Sequence, residues 1–334
     1  MNIQKIINFL SKNPIAAKFG NYVLLTYGLI IAITMFLGYF LGSISLQVFQ
    51  INSKILSWWI IVSIPCLIFF SRAVPLLLRL KTFAKNPKEL INSTWFTFLG
   101  GFLGFWFSSF FLVLNFKVSV LRFSDALLMF LPFFHAIGRI ACINYGCCSS
   151  VIKKEKSGIY FSYKNSVARA VRFFGMKNKR IYPVHIYEIL WNFIIGILLV
   201  SMLFFVKYSG IISAVYFFSY GFLRIILEPK RGEDKKIFLG YSLYQILLTA
   251  IFWIYGLSYL AAAIISKVPI VLNFKIQYLT NSLSLVPLLA IMCLIAFIIF
   301  GLNKIEKKGC QYHSQCAKNP LLRKCLDCNV RNFQ

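Results

Sequence analysis

The chain has 334 residues, of which 59% are hydrophobic and only 13% charged. One soluble core cannot hide that much apolar surface, so a soluble globular class is excluded and a polytopic membrane protein is expected. The formal charge of +27 comes from 36 Lys and Arg against 9 Asp and Glu, and the basic residues lie between apolar runs, which points to anionic membrane lipids as partners and not to nucleic acid.

The chain opens on a short amphipathic piece that ends near Gly20, with Lys5, Lys12 and Lys18 on its wet side. The apolar run from about Tyr22 to Val48 is far longer than the hydrophobic region of a signal peptide and lacks a small-residue cleavage site. It therefore predicts an uncleaved spanning helix. Further spans are expected at Ile55 to Phe70, Trp95 to Phe116, Ser124 to Gly146, Val184 to Val206, Gly210 to Leu227, Phe238 to Ile265 and Thr280 to Leu302. The fold class that follows is all-α, a polytopic helical bundle with about seven to eight transmembrane helices.

No fixed repeat or Gly/Ser linker divides the chain, and the one compositional break falls after Leu302. The expected organisation is a transmembrane domain over residues 1–302 and a small soluble, Cys-rich tail over 303–334. The loops Arg72 to Ser93, Cys147 to Pro183 and Pro229 to Ile237 are strongly basic, whereas the alternate loops carry few cations. Taken alone, this bias places the N-terminus, those loops and the tail in the cytoplasm.

Ionisable residues inside spans are the informative ones, because the bilayer makes each expensive. Arg139 stands near the end of an apolar segment, with His135 one turn earlier on the same helical face. Asp125 sits close to Arg122, and an interfacial pair is the simpler reading for it. Tyr220, Arg224 and Glu228 follow at i, i+4 and i+8 with Arg231 three further on, a polar stripe along one helix face. The stripe is either a structural Arg224–Glu228 ion pair or the lining of a cavity in which guanidinium groups grip a phosphate. Pro229 could end that helix and carry Arg231 off the stripe.

Tyr187 and Glu188 begin the next polar position, after Pro183, and could face the same cavity. Glu188 could counter-charge Arg139 or Arg224, or accept a proton. His185 reads as an interfacial residue bonded to the backbone. The adjacent Cys147 and Cys148 cannot easily bridge each other and read as small packing residues, with a reactive thiol as the alternative. In the tail, Cys310, His313, Cys316, Cys325 and Cys328 could complete a tetrahedral zinc site, with four cysteines as ligands and His313 as the substitute. Two disulfides are the alternative in an oxidising compartment.

Six segments in order, YGLIIAITMFLGYFLG, LGGFLG at Leu99 to Gly104, GRIACINYG at Gly138 to Gly146, PVHIYE, YGFLRIILEPKRGE and LGYSLYQIL, resemble the prolipoprotein diacylglyceryl transferase family. The resemblance covers about Tyr27 to Leu248. It implies an enzyme of the bacterial cytoplasmic (inner) membrane that moves the diacylglyceryl group of phosphatidylglycerol onto the lipobox cysteine of prelipoprotein signal peptides. A thioether forms, glycerol phosphate leaves, and no cofactor takes part in catalysis.

By the same resemblance Arg139 and Arg224 engage the lipid phosphate. Tyr220, Glu228, Arg231, Tyr187 and Glu188 match the remaining site positions, and Gly100 and Gly101 match the family's GGL turn. A leaving phosphate develops charge that fixed guanidinium donors stabilise, and a base must take the thiol proton. Three departures bear on that base. Leu99 replaces the family's histidine, Cys142 its asparagine, and Cys147 the acid of its NGE segment, as in a divergent branch with GCC at that place. His135, Glu188 or Tyr220 could substitute, with His135 first because an imidazole titrates near neutrality. A relative that binds phospholipid without turnover is the alternative. The family's N-terminus and site face outward, opposite to the charge bias.

Overall fold

The computed structural model describes residues 3–19, 22–52, 54–77, 98–146, 162, 179–231 and 243–304. Its helices are α1 (Ile3–Leu10), α2 (Thr26–Val48), α3 (Lys54–Leu77), α4 (Phe98–Asn115), α5 (Val120–Leu128), α6 (Leu131–Tyr145), α7 (Val184–Met202), α8 (Ile211–Leu227), α9 (Leu243–Ser266), α10 (Gln277–Leu283) and α11 (Val286–Gly301). Five are long and apolar enough to cross a bilayer. The bent pairs α5/α6 and α10/α11 raise the number to seven, and α4 is a shorter apolar helix beside them. The protein is thus a multi-pass helical membrane protein.

Each bend has a local cause. Pro132 and Pro287 occupy the first positions of α6 and α11, where the missing N–H interrupts the ladder of a continuous helix. The span expected over Ser124 to Gly146 is therefore two helices meeting at 45°, and that over Thr280 to Leu302 likewise turns by 47°. At the other end of α6, Gly146 takes φ 71°, closing the helix in the left-handed conformation.

Neighbouring helices run antiparallel. Gly100 and Gly104 of α4 press on the Phe70 and Cys66 carbonyls of α3, a close approach that only glycine allows. Phe134 of α6 lies beside Gly38 of α2, and Tyr145 beside Tyr27. Phe133 of α6 meets Gly196 of α7, and Gly221 of α8 meets Trp253 of α9.

The N-terminal segment departs from expectation. Beyond α1 it forms a hairpin of β1 (Ile15–Phe19) and β2 (Tyr22–Leu25), and β3 (Leu302–Lys304) completes an antiparallel sheet in the order β1-β2-β3. Tyr22–Leu25 is thus a strand, and the first span begins at Thr26. Its apolar side chains serve a sheet because Leu302–Lys304 returns to pair with it, anchored where Gly28 and Gly301 cross almost backbone to backbone. Asn303 and Lys304, which composition assigns to the tail, thus pair with β2 in this sheet. The hairpin and the start of the tail stand at the same end of the bundle.

Candidate functional site

The site lies at this hairpin end. Asn144, near the end of α6, donates to the carbonyls of Leu10 and Asn13 at 2.7 and 3.2 Å, tying α6 to the loop before β1. One turn inward, α6 presents Arg139, α7 presents Glu188 from its second turn, and α8 presents Tyr220 and Arg224. All four are nearly or fully inaccessible or in close contact with the cluster.

Glu188 is the centre. Its Oε2 pairs with Arg139 Nε, and its Oε1 lies 3.3 Å from Arg224 Nη1 and 3.5 Å from Arg231 Nη1. Arg224 also reaches Glu228 Oε2 at 3.1 Å, and Arg231 Nε stands 3.7 Å from Glu228 Oε1. Glu188 therefore counter-charges both Arg139 and Arg224, as its sequence position suggested, and a third arginine besides. Among the described residues, three guanidinium groups converge on two carboxylates.

Pro229 does end the α-helix: α8 stops at Leu227, Glu228–Lys230 form a 3-10 turn, and Arg231 is extended. Arg231 nevertheless stays with the cluster, because the tighter turn swings it back over Glu228 and Glu188. The stripe survives its own helix break.

Tyr220 is held between aromatic rings. Tyr216 stacks on it at 6.1 Å with planes 13° apart, Phe252 of α9 lies at 4.7 Å, and the Arg224 guanidinium sits 5.3 Å over its face. Its hydroxyl is 3.5 Å from His135 Nε2, with the two rings 5.0 Å apart. Tyr216 was missed in the sequence reading, although it stands four residues before Tyr220 and extends the same i, i+4 stripe. Cys142, which replaces the family's asparagine, lies 3.9 Å from Arg139 Nη1, so the position still contacts the arginine although an amide has become a thiol.

The remaining expected residues fall as follows. Tyr187 is half-buried beside Glu188 and packs on the core. Gly100 and Gly101 lie where α4 meets α3, next to Phe70, Ser71 and Leu67. Leu99 is buried in the main core, and His185 is buried at the start of α7. Cys147, Cys148 and the tail residues Cys310, His313, Cys316, Cys325 and Cys328 lie outside the described residues.

Asp125 is not the interfacial partner of Arg122. It is fully buried and accepts from the backbone N–H of Gly210 at 2.6 Å, from that of Ser213 at 2.8 Å and from the Ser213 hydroxyl at 2.5 Å. The N–H groups that begin α8 have no partner within their own helix and sit where the helix dipole favours an anion, so a buried carboxylate aimed at them is satisfied without Arg122.

These features define a multi-pass membrane protein with a buried arginine–glutamate cluster at one end of the bundle. The chain belongs to the prolipoprotein diacylglyceryl transferase family, whose model matches residues 14–262. Similar proteins include the phosphatidylglycerol–prolipoprotein diacylglyceryl transferases of Clostridium tetani (strain Massachusetts / E88), 26% identical over 47% of this chain and 60% of the relative, and of Rickettsia africae (strain ESF-5), 25% identical over 69% of this chain and 88% of the relative. That of Rickettsia conorii (strain ATCC VR-613 / Malish 7) is 25% identical over the same shares. The stretch shared with the Clostridium tetani protein thus spans less than two thirds of that relative's length. The whole arginine–glutamate cluster falls inside the family match, whereas α10, α11 and β3 fall beyond it.

Proposed function

We propose that this protein transfers the diacylglyceryl group of phosphatidylglycerol to the lipobox cysteine in the signal peptides of prelipoproteins, in the bacterial cytoplasmic membrane. The observation that carries the reading is the cluster itself. Three arginines drawn together on Glu188, with Arg139 and Arg224 buried and Arg231 partly so, present converging guanidinium donors that suit the oxygens of a phosphodiester.

In this reading Arg139, Arg224 and Arg231 hold the phosphate, while Glu188 and Glu228 fix their directions. The acceptor thiol gives its proton to His135, whose Nε2 is oriented by the Tyr220 hydroxyl. The thiolate sulfur then forms a bond to the terminal glyceryl carbon. The carbon–oxygen bond to the phosphate breaks, its electron pair passes to the phosphate oxygen, and glycerol phosphate departs. The guanidinium groups stabilise the charge that develops on that oxygen. Tyr187 flanks Glu188 on the lipid's path, and Gly100 and Gly101 shape the neighbouring α3–α4 wall.

Complementation of a strain depleted of its own transferase, scored for lipidated prelipoprotein, tests this. The wild-type chain is expected to rescue and Arg139→Ala to fail; equal rescue by both sinks the phosphate role of Arg139. Rescue by His135→Asn would remove the base assignment alone. A second reading, a relative that binds phospholipid without turnover, is favoured by Leu99 at the family's histidine position, and failure of the wild type to rescue while it retains phosphatidylglycerol would support it.

We propose in addition that Cys310, Cys316, Cys325 and Cys328, or His313 in place of one of them, hold a structural zinc ion that takes no part in catalysis. The purified chain is expected to carry one zinc by elemental analysis, lost in Cys325→Ser; a zinc-free wild type overturns this.

A further inference from the structure

A glycine inside a helix gives up rigidity, so each one in this bundle asks for a reason. For most the reason is packing. A Cβ at Gly28, Gly100, Gly104, Gly196, Gly221 or Gly256 would stand within 3.0 Å of an atom on a neighbouring helix. Gly138 differs: among the described residues, nothing lies within 4 Å of where its Cβ would be. It is only partly buried, yet its chain neighbour Arg139 is buried in the cluster. Packing against the described residues does not require glycine there.

Its angular position says what the space adjoins. At about 100° per residue, His135, Arg139 and Cys142 share one face of α6, and Gly138 lies about 60° from His135 on the side away from Arg139. That rotation leads toward the face by which Phe134 and Tyr145 pack on Gly38 and Tyr27 of α2. Among the described residues, open volume therefore lies between the polar face of α6, which carries His135 and Cys142, and its contact with α2.

We propose that this volume seats the glyceryl end of the diacylglyceryl donor, and that Gly138 is a specificity-determining residue whose missing side chain admits the lipid. The inference rests on the donor reading given above. A phosphate held by Arg139 leaves the ester-bearing carbons and their acyl chains to run along α6, and a side chain at position 138 would fill the room they need. The ligand class is a two-chain glycerolipid joined to a phosphodiester.

The test uses the full chain in detergent, with phosphatidylglycerol as donor and a synthetic lipobox peptide as acceptor. Gly138→Ala and Gly138→Leu are measured beside the wild type for melting temperature, turnover, and phosphatidylglycerol retained in native mass spectra. Because alanine is favoured over glycine in helices, Gly138→Ala is expected to melt at or above the wild-type temperature. KM for the donor is expected to rise several-fold in Gly138→Ala and about tenfold or more in Gly138→Leu, on the scale that a misplaced methylene or more imposes in a fitted pocket. KM for the peptide stays unchanged, and retained lipid falls in the same order.

Wild-type retention and turnover in Gly138→Leu overturn the proposal, as does a Gly138→Ala variant that fails to fold, since a side chain there would then be meeting protein. A wild type that retains no phosphatidylglycerol overturns it as well. A wild type that retains the lipid but transfers nothing defeats the transferase reading alone, and the retention series still decides the role of Gly138.

Discussion

Two polar networks are buried in this bundle, one at each end, and they follow opposite charge logic. At the end away from the hairpin, Gln47 of α2 donates to the Ser282 hydroxyl at 3.2 Å and accepts from Asn281 at 2.8 Å, while Ser43 donates to Ser282 at 2.7 Å. Nearby, the Asp125 carboxylate is answered by two peptide N–H groups and a hydroxyl. Those bonds join α2 to α10 and α5 to α8, and each polar atom named has a partner of matching sense. At the hairpin end, among the described residues, three arginines crowd around two glutamates. Matched networks fasten helices together; like charges gathered inside a membrane protein are costly and are kept where something must be bound.

The largest effect that would sharpen this contrast is expected from Glu188→Gln. Among the described residues Glu188 is the one that touches all three arginines, and removing one partner of a buried charged group costs about 3–5 kcal/mol. The variant is expected to melt well below the wild type and to recover more of its stability on adding phosphatidylglycerol, because the anion then replaces the lost carboxylate. A variant that melts like the wild type would break the view that Glu188 organises the cluster.

Asp125→Asn is expected to come next. The substitution keeps the shape but weakens hydrogen bonds to a charged acceptor, a change of about 1.5–3 kcal/mol in thermal or denaturant unfolding. Activity per folded molecule should change little, since Asp125 belongs to the opposite end. Arg122→Ala serves as the comparison: if it destabilises as much as Asp125→Asn, then Arg122 and not the start of α8 is the carboxylate's partner.

Much of the hairpin-end site was legible because it is written along single helices. The i, i+4 spacing of Tyr220, Arg224 and Glu228 put the stripe on one face, and the bilayer made Arg139 conspicuous. What could not be read was how those helices meet. That Glu188 takes Arg139 and Arg224 together depends on the α6–α7–α8 packing, and Arg231 returns to the site only because the 3-10 turn at Pro229 redirects it. The opposite end was misread for the same reason: Asp125 was assigned to its sequence neighbour, whereas its partners lie 85 and 88 residues away. The N-terminal hairpin escaped because Tyr22–Leu25 continues an apolar run, and composition cannot tell a strand from the first turn of a helix when the pairing strand is Leu302–Lys304.

The smallest expected effect concerns a joint that composition also concealed. The family match ends at residue 262, so the contact between Gln47 and Ser282 links the shared part of the fold to a segment beyond it. Ser282 is fully buried and receives two donors, from Ser43 and Gln47. Ser282→Ala removes that acceptor and is expected to lower stability by about 1 kcal/mol, the usual net worth of neutral hydrogen bonds, with donor KM unchanged because the arginine cluster is untouched. Limited proteolysis within α10 offers the finer measurement: faster cleavage in Ser282→Ala with an unaltered melting midpoint for the remaining helices would mark α10 and α11 as a separately fastened element. A lowered midpoint for the whole chain would instead make this joint part of one cooperative bundle and narrow the contrast between its two ends.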